Sequence, residues 1–519
     1  MRVNLNCFNN SHILSPKSPK NLIPPRYSRL YTACSGKYVI IYKILWRDYL
    51  KMKTGSKKTY TELIAFAVIL TASLLHICMN NLVSLDELWN YNFARQITMG
   101  LVPYRDYNMV QTPLFAMIMS LPLFAHRSLF VYRLACSLLV TVQSFVLYKA
   151  LASETKNRLL ALPFVLISIL IIDYVSYNTL LLLIALLAYL VTSNGQFKKH
   201  ALILGALAAL AVFSRQTSGC ILLLILFVVI AAFYENKAKN LLLYGVGFAI
   251  PCTVFLIYFL VTSSFNDFWD YCLFSLTSFG SSNGKFYNSS IVLLLLLAAE
   301  IIVEIINLVK KRDTTTLIHF LIGIPVLVIT VPIIDYSHVT FAVVYFLIPA
   351  YKLLDGKWGN VIRNSITVFI SAVVFLCIGG LGISRVVNST FTNEASELKC
   401  VPVSNDMCED FTYLSWMVNQ YELNGYSVTF YSSSSVIVSL MNGTANPPYD
   451  LFNNGNFRGS VESHMIYVEE SCNGEDKIVI IASDYYDEGW QNPTGVLEYV
   501  EANCELLGSY GRFLIYRGH

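Results

Sequence analysis

The sequence SLDELWNYNFARQITMGLVPYRDYNMVQ (Ser84–Gln111) is a polar, acid-containing stretch directly after the first strongly apolar segment of the chain. Asp86 and Glu87 lie a few residues beyond that segment, where a carboxylate would sit at a membrane–water boundary. A helix-compatible run from Glu87 to Met99 ends at Gly100, an expected stop signal. We interpret this stretch as the candidate catalytic segment, with the rest of the chain as its scaffold.

The composition is that of a polytopic membrane protein. Apolar residues make up 55% of the 519 residues and charged residues 13%, with a mean hydropathy of +0.54. The charged fraction is about half that of an ordinary soluble protein. The formal net charge of +4 is small. It gives no reason to expect a nucleic-acid partner.

Residues 1–51 differ from the remainder, being polar and containing four prolines. Met52 is followed by a short basic run and then by the first apolar segment, a pattern typical of the natural translation start of a membrane protein. We therefore predict that residues 1–51 are a disordered extension or result from an over-extended start codon. A genuine cytoplasmic tail is the alternative.

Eleven apolar segments approach the roughly 20 residues that a membrane-spanning helix needs. They are residues 61–81, 128–150, 158–174, 176–193, 200–214, 217–234, 241–262, 290–309, 315–334, 339–354 and 363–385. Basic clusters between them are expected to face the cytoplasm. The segments outside are then the loops 83–111, 173–178, 214–217, 263–289 and 335–338 and everything after residue 385. With the basic clusters on the cytoplasmic side, only one crossing fits between the loop 83–111 and residue 150. Thr112–Ala125 is therefore expected to be a re-entrant or juxtamembrane helix that does not cross the membrane.

Residues 386–519 are polar and predict a small extracytoplasmic α/β domain. The expected strands are Ser427–Tyr431, Val436–Leu440, Met465–Val468, Lys477–Ala482 and Phe513–Tyr516, and the expected helices are Asp406–Glu422 and Thr494–Cys504. The domain contains Cys400, Cys408, Cys472 and Cys504. One or two disulfides among them, or four reduced thiols, both fit the sequence.

Ionisable and polar residues at membrane depth are costly and suggest a functional site. In the predicted topology several gather at outward-facing helix ends: Asp86, Glu87, Arg105, Asp106, Asp173, Tyr174, Tyr177, Asn178, Arg215, Gln216, Asp335 and His338. Most of the loops concerned, such as 214–217 and 335–338, are too short to project away from the helices. Ordinary loop charges, helix caps and interfacial anchors are the alternative interpretation of the same residues.

The order of these motifs resembles the GT-C superfamily of polytopic membrane glycosyltransferases, including the protein O-mannosyltransferase-like and aminoarabinose-transferase-like enzymes of bacteria. The matching segments are Asp86–Glu87, Gly100–Asp106, Pro113–Leu114, Ser176–Leu180, Ser214–Gly219 and Asp335–His338. Similar enzymes often have Lys-Gln in place of Arg215 and Gln216, and an Arg where Ile333 and Ile334 stand here. The resemblance covers roughly residues 60–519.

The resemblance implies transfer of a sugar from a polyprenyl-phosphate donor to a lipid, glycan or protein acceptor at the outer face of a bacterial plasma (inner) membrane. Asp86 matches the catalytic acid of the superfamily and is our expected general base, with Glu87 as a second acid for orientation or metal binding. Arg215 and His338 are expected to face the leaving phosphate. The further expected substrate-binding residues are Arg105, Asp106, Tyr177, Asn178, Gln216 and Asp335.

Two questions stay open at the level of sequence. A divalent metal occurs in the superfamily, but no His/Cys cluster with ligand spacing is present, so the metal and other cofactors are unknown. A transporter or flippase of a lipid-linked sugar or other amphiphile is the main alternative, because buried charges and many helices fit both classes. A structural or sensory membrane protein whose exported domain binds a glycan is a third. A transporter usually has inverted repeats, and the sequence shows no duplication between its halves.

Overall fold

The computed structural model describes residues 60–82, 86–107, 109–154, 158–193, 200–274, 285–352, 360–393, 395–431, 440, 461–482, 496–511 and 513–519. Ala65–His519 form one compact unit, which includes both the apolar helices and the C-terminal domain. The predicted N-terminal extension, residues 1–51, lies outside the described residues, as does the predicted strand 436–440 except for its last residue.

The described residues between 60 and 387 are mainly helical. The helices are α1 (Tyr60–Cys78), α2 (Asp86–Thr98), α3 (Leu114–Leu123), α4 (Leu129–Glu154), α5 (Ala161–Leu170), α6 (Tyr177–Ser193), α7 (Ala201–Ser214), α8 (Gln216–Phe233), α9 (Lys237–Val261), α10 (Phe265–Trp269), α11 (Ile291–Lys311), α12 (Thr314–Leu327), α13 (Tyr336–Lys352) and α14 (Asn360–Val387). Each of the eleven predicted spans overlaps one of these helices. Two short strands in the same part of the chain, β1 (Lys285–Phe286) and β2 (Ile333–Ile334), pair in parallel.

Among the described residues, six helices are long and apolar enough to cross a membrane, which makes the chain a membrane protein. They are Tyr60–Cys78, Leu129–Glu154, Gln216–Phe233, Lys237–Val261, Asn288–Lys310 and Asn364–Val387. The other five predicted spans fall on apolar helices of 10–17 residues. A helix of that length covers about 15–26 Å, short of the roughly 30 Å hydrocarbon core. The count of eleven crossings therefore stays a prediction.

The apolar run after the acidic segment folds as the short helix α3. Its 10 residues extend over about 15 Å, half of a bilayer core. Pro122 lies within its last turn and Phe124 closes it. The length agrees with a re-entrant or juxtamembrane helix, while its position relative to the membrane stays a prediction.

Helices α7 and α9 cross in direct backbone contact. A Cβ built on Gly205 would lie 2.0 Å from the Tyr244 carbonyl oxygen, and one on Gly247 would lie 2.0 Å from the Leu202 carbonyl oxygen. Any side chain at either glycine would force the helices apart. The two glycines therefore fix the separation of a helix pair whose first member ends one residue before Arg215.

The C-terminal domain is a four-stranded mixed sheet with helices packed against it. Its helices are α15 (Asn405–Leu423), α16 (Val461–Cys472) and α17 (Val496–Asn503), and its strands are β3 (Ser427–Tyr431), β4 (Lys477–Ala482), β5 (Cys504–Tyr510) and β6 (Phe513–Gly518). The strand order is β3-β4-β6-β5, with β3 parallel to β4 and the other pairs antiparallel. Two apolar clusters, one on each face, hold the helices to the sheet.

The sequence prediction for this domain was wrong at two places. Leu440, the only described residue of the predicted strand 436–440, is helical. Met465–Val468 is part of α16 rather than a strand. Met465, Val468 and Cys472 recur at helical spacing and pack in one apolar cluster. This spacing is typical of one face of a helix. The strand β5, which directly follows α17, was not anticipated.

Two of the four cysteines in this domain are brought together. Gly518 pairs with Cys504 across the β5–β6 ladder, and a Cβ on Gly518 would lie 2.2 Å from the Cys472 carbonyl oxygen. Both thiols are buried and reduced in the structure, and burial raises the pKa of Cys472 to about 12. Cys400 and Cys408 lie in and just after the segment that joins α14 to α15.

Candidate functional site

Asp86 is the first residue of α2 and lies half-buried beside the ends of other helices. Removal from water raises the pKa of Asp86 to about 6. A charge on His338 and a hydrogen bond from Tyr174 oppose this rise, whereas Asp335 and Asp173 add to it. A carboxyl group with a pKa near neutrality is ionised at physiological pH and is still basic enough to accept a proton.

Glu87, the next residue of α2, forms a buried ion pair with Arg133 of α4. Its Oε1 accepts from Arg133 Nε at 2.6 Å and its Oε2 accepts from Nη2 at 2.6 Å. The same guanidinium donates to the carbonyl oxygens of Asn80 and Asn81. Both carboxylate oxygens thus fix the start of α2 to α4. The signal available in the sequence was an arginine near the end of a predicted span.

Arg215 lies between two helices with almost no loop. α7 ends at Ser214 and α8 begins at Gln216, with Arg215 in an extended conformation between them. A Cβ on Gly219 would lie 2.4 Å from the Ala211 carbonyl oxygen, so only glycine allows the two helices to meet this tightly. The short loop therefore directs the guanidinium along the end of the bundle.

The guanidinium of Arg215 contacts the predicted site residues Tyr177 and Asn178 and also the backbone at Val331. Nη1 donates to Asn178 Oδ1 at 2.6 Å, and Nη2 donates to the Val331 carbonyl oxygen at 3.2 Å. The guanidinium carbon also lies 6.0 Å from the centre of the Tyr177 ring. These two hydrogen bonds use two of the five N–H donors that a guanidinium carries.

Asp335 and His338 form a local unit at the start of α13. Asp335 Oδ1 accepts from the His338 backbone N–H at 2.7 Å and is 2.8 Å from His338 Nδ1. Burial favours the neutral acid, but the hydrogen bonds and charge of His338 outweigh it and lower the pKa of Asp335. Ser337 Oγ donates to Asp173 Oδ2 at 3.1 Å, which ties this turn to the segment before α6.

Four helices begin around this group. α2 starts at Asp86, α6 at Tyr177, α8 at Gln216 and α13 at Tyr336. Their starts are linked by the Arg215–Asn178 bond and by the charges of Asp335 and His338 that act on Asp86. Helix N-termini carry unpaired N–H groups and a partial positive charge, so the surroundings favour an anionic group.

Three of the residues expected to bind substrate make contacts elsewhere. Arg105 and Asp106 pair with each other, Arg105 Nε lying 2.8 Å from Asp106 Oδ1, and Arg105 also donates to the Thr262 carbonyl oxygen. Gln216 Nε2 is buried and donates to the carbonyl oxygens of Val110, at 2.9 Å, and Cys272, at 3.4 Å. These contacts hold the loop between α2 and α3 in shape and pack it against the α9–α10 end.

The structure therefore brings together Asp86, Asp173, Tyr174, Tyr177, Asn178, Arg215, Asp335 and His338. In the part of the chain that the structure describes, no three His, Cys, Asp or Glu side chains are grouped so that they could hold a metal ion. We define Asp86 and the seven residues that the structure brings together with it as the Asp86 site.

Comparison with protein-family models and with curated protein sequences gives no match. Among solved structures, the chain is similar to ArnT, an aminoarabinose transferase from Cupriavidus metallidurans. The apo form aligns with a TM-score of 0.52 at 12% identity, covering 89% of this chain and 98% of ArnT. The form bound to undecaprenyl phosphate aligns with a TM-score of 0.50 at 12% identity, covering 88% and 97%. Both alignments cover nearly nine tenths of this chain, so the chain has the fold of ArnT, as the motifs predicted.

Proposed function

We propose that this chain, which shares the fold of the GT-C glycosyltransferase ArnT, transfers a sugar from a polyprenyl-phosphate donor to an acceptor at the outer face of a bacterial plasma membrane. The main support is the Asp86 site itself. It combines a carboxyl group of near-neutral pKa with a guanidinium, an imidazole and several helix N-termini. The coverage of ArnT over nearly its whole length supports the same reaction class.

Asp86 is the general base in this proposal. An acceptor hydroxyl is a poor nucleophile and becomes reactive only as its proton leaves. Asp86 is ionised above about pH 6 and accepts that proton while the hydroxyl oxygen attacks the anomeric carbon of the donor. Tyr174, which hydrogen-bonds the carboxyl group, fixes its direction.

Arg215 and His338 face the leaving group, polyprenyl phosphate. As the bond between the anomeric carbon and the phosphate oxygen breaks, negative charge develops on polyprenyl phosphate, and positioned cationic donors stabilise it. Asn178 holds Arg215 from one side, and Asp335 orients His338 from the other. The N-termini of α6, α8 and α13 add to the favourable potential for the phosphate.

The remaining predicted residues have positional roles in this proposal. Glu87 anchors the start of α2 through Arg133. Gln216, with Arg105 and Asp106, holds the loop that follows α2 against the α9–α10 end. The lipid tail of the donor lies among the apolar helices, and the C-terminal domain lies outside the membrane.

The test is transfer from a radiolabelled polyprenyl-phosphate sugar by purified protein in detergent, measured as released polyprenyl phosphate. Wild type is compared with Asp86→Asn and with Glu505→Gln, a control on the surface of the C-terminal domain. We expect release by wild type and by the control, and a loss of about 100-fold or more in Asp86→Asn. Equal turnover by all three would remove Asp86 as base. No turnover with any donor, together with lipid movement in liposomes, would favour a transporter.

A further inference from the structure

A buried triad joins the middle of α2 to the segment after the last apolar helix. Arg95 Nε lies 2.8 Å from Glu397 Oε2, and the Tyr91 hydroxyl donates to the same oxygen at 2.5 Å. The Arg95 side chain is 0% exposed and that of Glu397 9%. Glu397 belongs to the connecting segment, which we define as residues 388–404 between α14 and α15.

The connecting segment also contacts the chain on the other side of Asp86. The Leu82 backbone N–H donates to the Pro402 carbonyl oxygen at 2.9 Å, and Ser389 Oγ donates to Asn81 Oδ1 at 2.8 Å. These contacts precede Asp86 in sequence, whereas the contacts of Glu397 follow it. One segment therefore holds the chain both before and after the proposed base.

The connecting segment is itself well fixed. Thr390 and Val403 exchange two backbone hydrogen bonds, of 2.9 and 3.0 Å, which close it into a loop. Ala395, Leu398 and Val401 are fully buried in the same apolar cluster as Leu88. The segment can thus act as a rigid support.

We propose that Glu397 is a positioning residue, which holds α2 so that Asp86 points at the acceptor hydroxyl; this inference rests on the proposed function. The Glu87–Arg133 pair fixes the first turn of α2 to α4, and the Glu397 triad fixes its later turns to the connecting segment. Two buried ion pairs from different parts of the fold thereby set both the place and the direction of the helix. The connecting segment leads directly into α15, so the link also joins the C-terminal domain to the Asp86 site.

A buried carboxylate at this position has a strong effect when it is lost. Removing one partner of a buried ion pair leaves the other charge uncompensated. The Arg95 guanidinium would then draw water or shift its helix. Because a displacement of about 1 Å at a catalytic group can cost about 100-fold in rate, a tilt of α2 is expected to lower kcat more than donor affinity.

The test compares Glu397→Gln, Tyr91→Phe and the surface control Glu505→Gln in the full-length protein. Hydrogen exchange of the Asp86–Thr98 amides and the kcat and KM for the polyprenyl-phosphate sugar are measured for each. We expect Glu397→Gln to speed exchange in α2 and to lower kcat about 10- to 100-fold with KM unchanged. Tyr91→Phe is expected to change exchange and kcat in the same direction but by less. The control is expected to match wild type.

Wild-type exchange and wild-type kcat in a folded Glu397→Gln protein would overturn the inference. If Glu397→Gln does not fold, the test relies on Tyr91→Phe. A wild-type kcat and exchange rate in that variant would contradict a positioning role for the triad. A rise in KM with unchanged kcat would point to donor binding instead. If wild type itself transfers no sugar, the proposed function fails, while the exchange measurement still shows whether Glu397 holds α2.

Discussion

Replacing Asp86 by Asn is expected to abolish transfer and at the same time to stabilise the folded protein. Burial raises the pKa of Asp86 from 3.8 to about 6. At about 1.4 kcal/mol per pKa unit, the ionised carboxylate costs the folded state up to about 3 kcal/mol. The side chain keeps some contact with water, so we treat this figure as an upper limit. The Asn variant avoids this cost.

The effect depends on pH in a defined direction. The pKa of Asp86 is higher in the folded state than in the unfolded state, so the folded protein binds more protons between the two values. The contribution of Asp86 to the stability of the wild type therefore falls as pH rises from 3.8 to about 6. Relative to wild type, Asp86→Asn gains most above about pH 7 and little near about pH 4.

The assay is thermal unfolding of both proteins in the same detergent, near about pH 4 and about pH 8, beside the transfer assay. We expect a higher Tm for Asp86→Asn at the higher pH and nearly equal values at the lower pH. A lower Tm of the variant at both pH values would show that the carboxylate stabilises the fold and that its pKa is not raised. Glu505→Gln, in an exposed pair, controls for the loss of a charge.

Three further predictions concern residues around Asp86. Arg215→Ala is expected to weaken binding of undecaprenyl phosphate about 10- to 100-fold, as for the loss of charge-assisted hydrogen bonds, and Arg215→Lys less; a binding assay that finds equal affinity for wild type and Ala contradicts the phosphate role. His338→Gln removes a charge that lowers the pKa of Asp86, so the acid limb of the pH–rate profile is expected to move to higher pH; a limb moved downward tells against this electrostatic arrangement. Glu87→Gln breaks the buried pair with Arg133, and a loss of about 3–5 kcal/mol in the free energy of unfolding is expected; an undiminished Tm in detergent would show that the pair does not anchor α2.

The membrane helices could be predicted closely because each carries its own signal. A long apolar run between basic or polar residues defines a helix without knowledge of its neighbours. For example, the run predicted at 176–193 is the helix Tyr177–Ser193, and that at 200–214 is Ala201–Ser214. Strands of the C-terminal domain were harder. The four apolar residues of Met465–Val468 are too few to separate a strand from a helix by period alone.

The Asp86 site could be predicted only in part. Short polar loops at helix ends identified Arg215 and His338 as candidates, because a short loop leaves a charged side chain little freedom. Asp86 was identified by the acidic loop that follows the first apolar segment. The sequence could not show which acid faces the site, since adjacent residues on a helix point in directions about 100° apart. Thus Glu87 faces Arg133. The bond from Arg95 to Glu397 joins positions 302 residues apart, and no local pattern predicts it.

The crossing of α7 and α9 at Gly205 and Gly247 limits how sequences of this kind can diverge. At most lipid-facing positions one apolar side chain can replace another, because the bilayer accepts any of them. At these two glycines even a methyl group collides with backbone. A substitution there would part the helices and carry the end of α7, and Arg215 with it, away from Asn178. Related proteins that retain the activity are therefore expected to keep both glycines, while the lipid-facing residues around them vary in sequence.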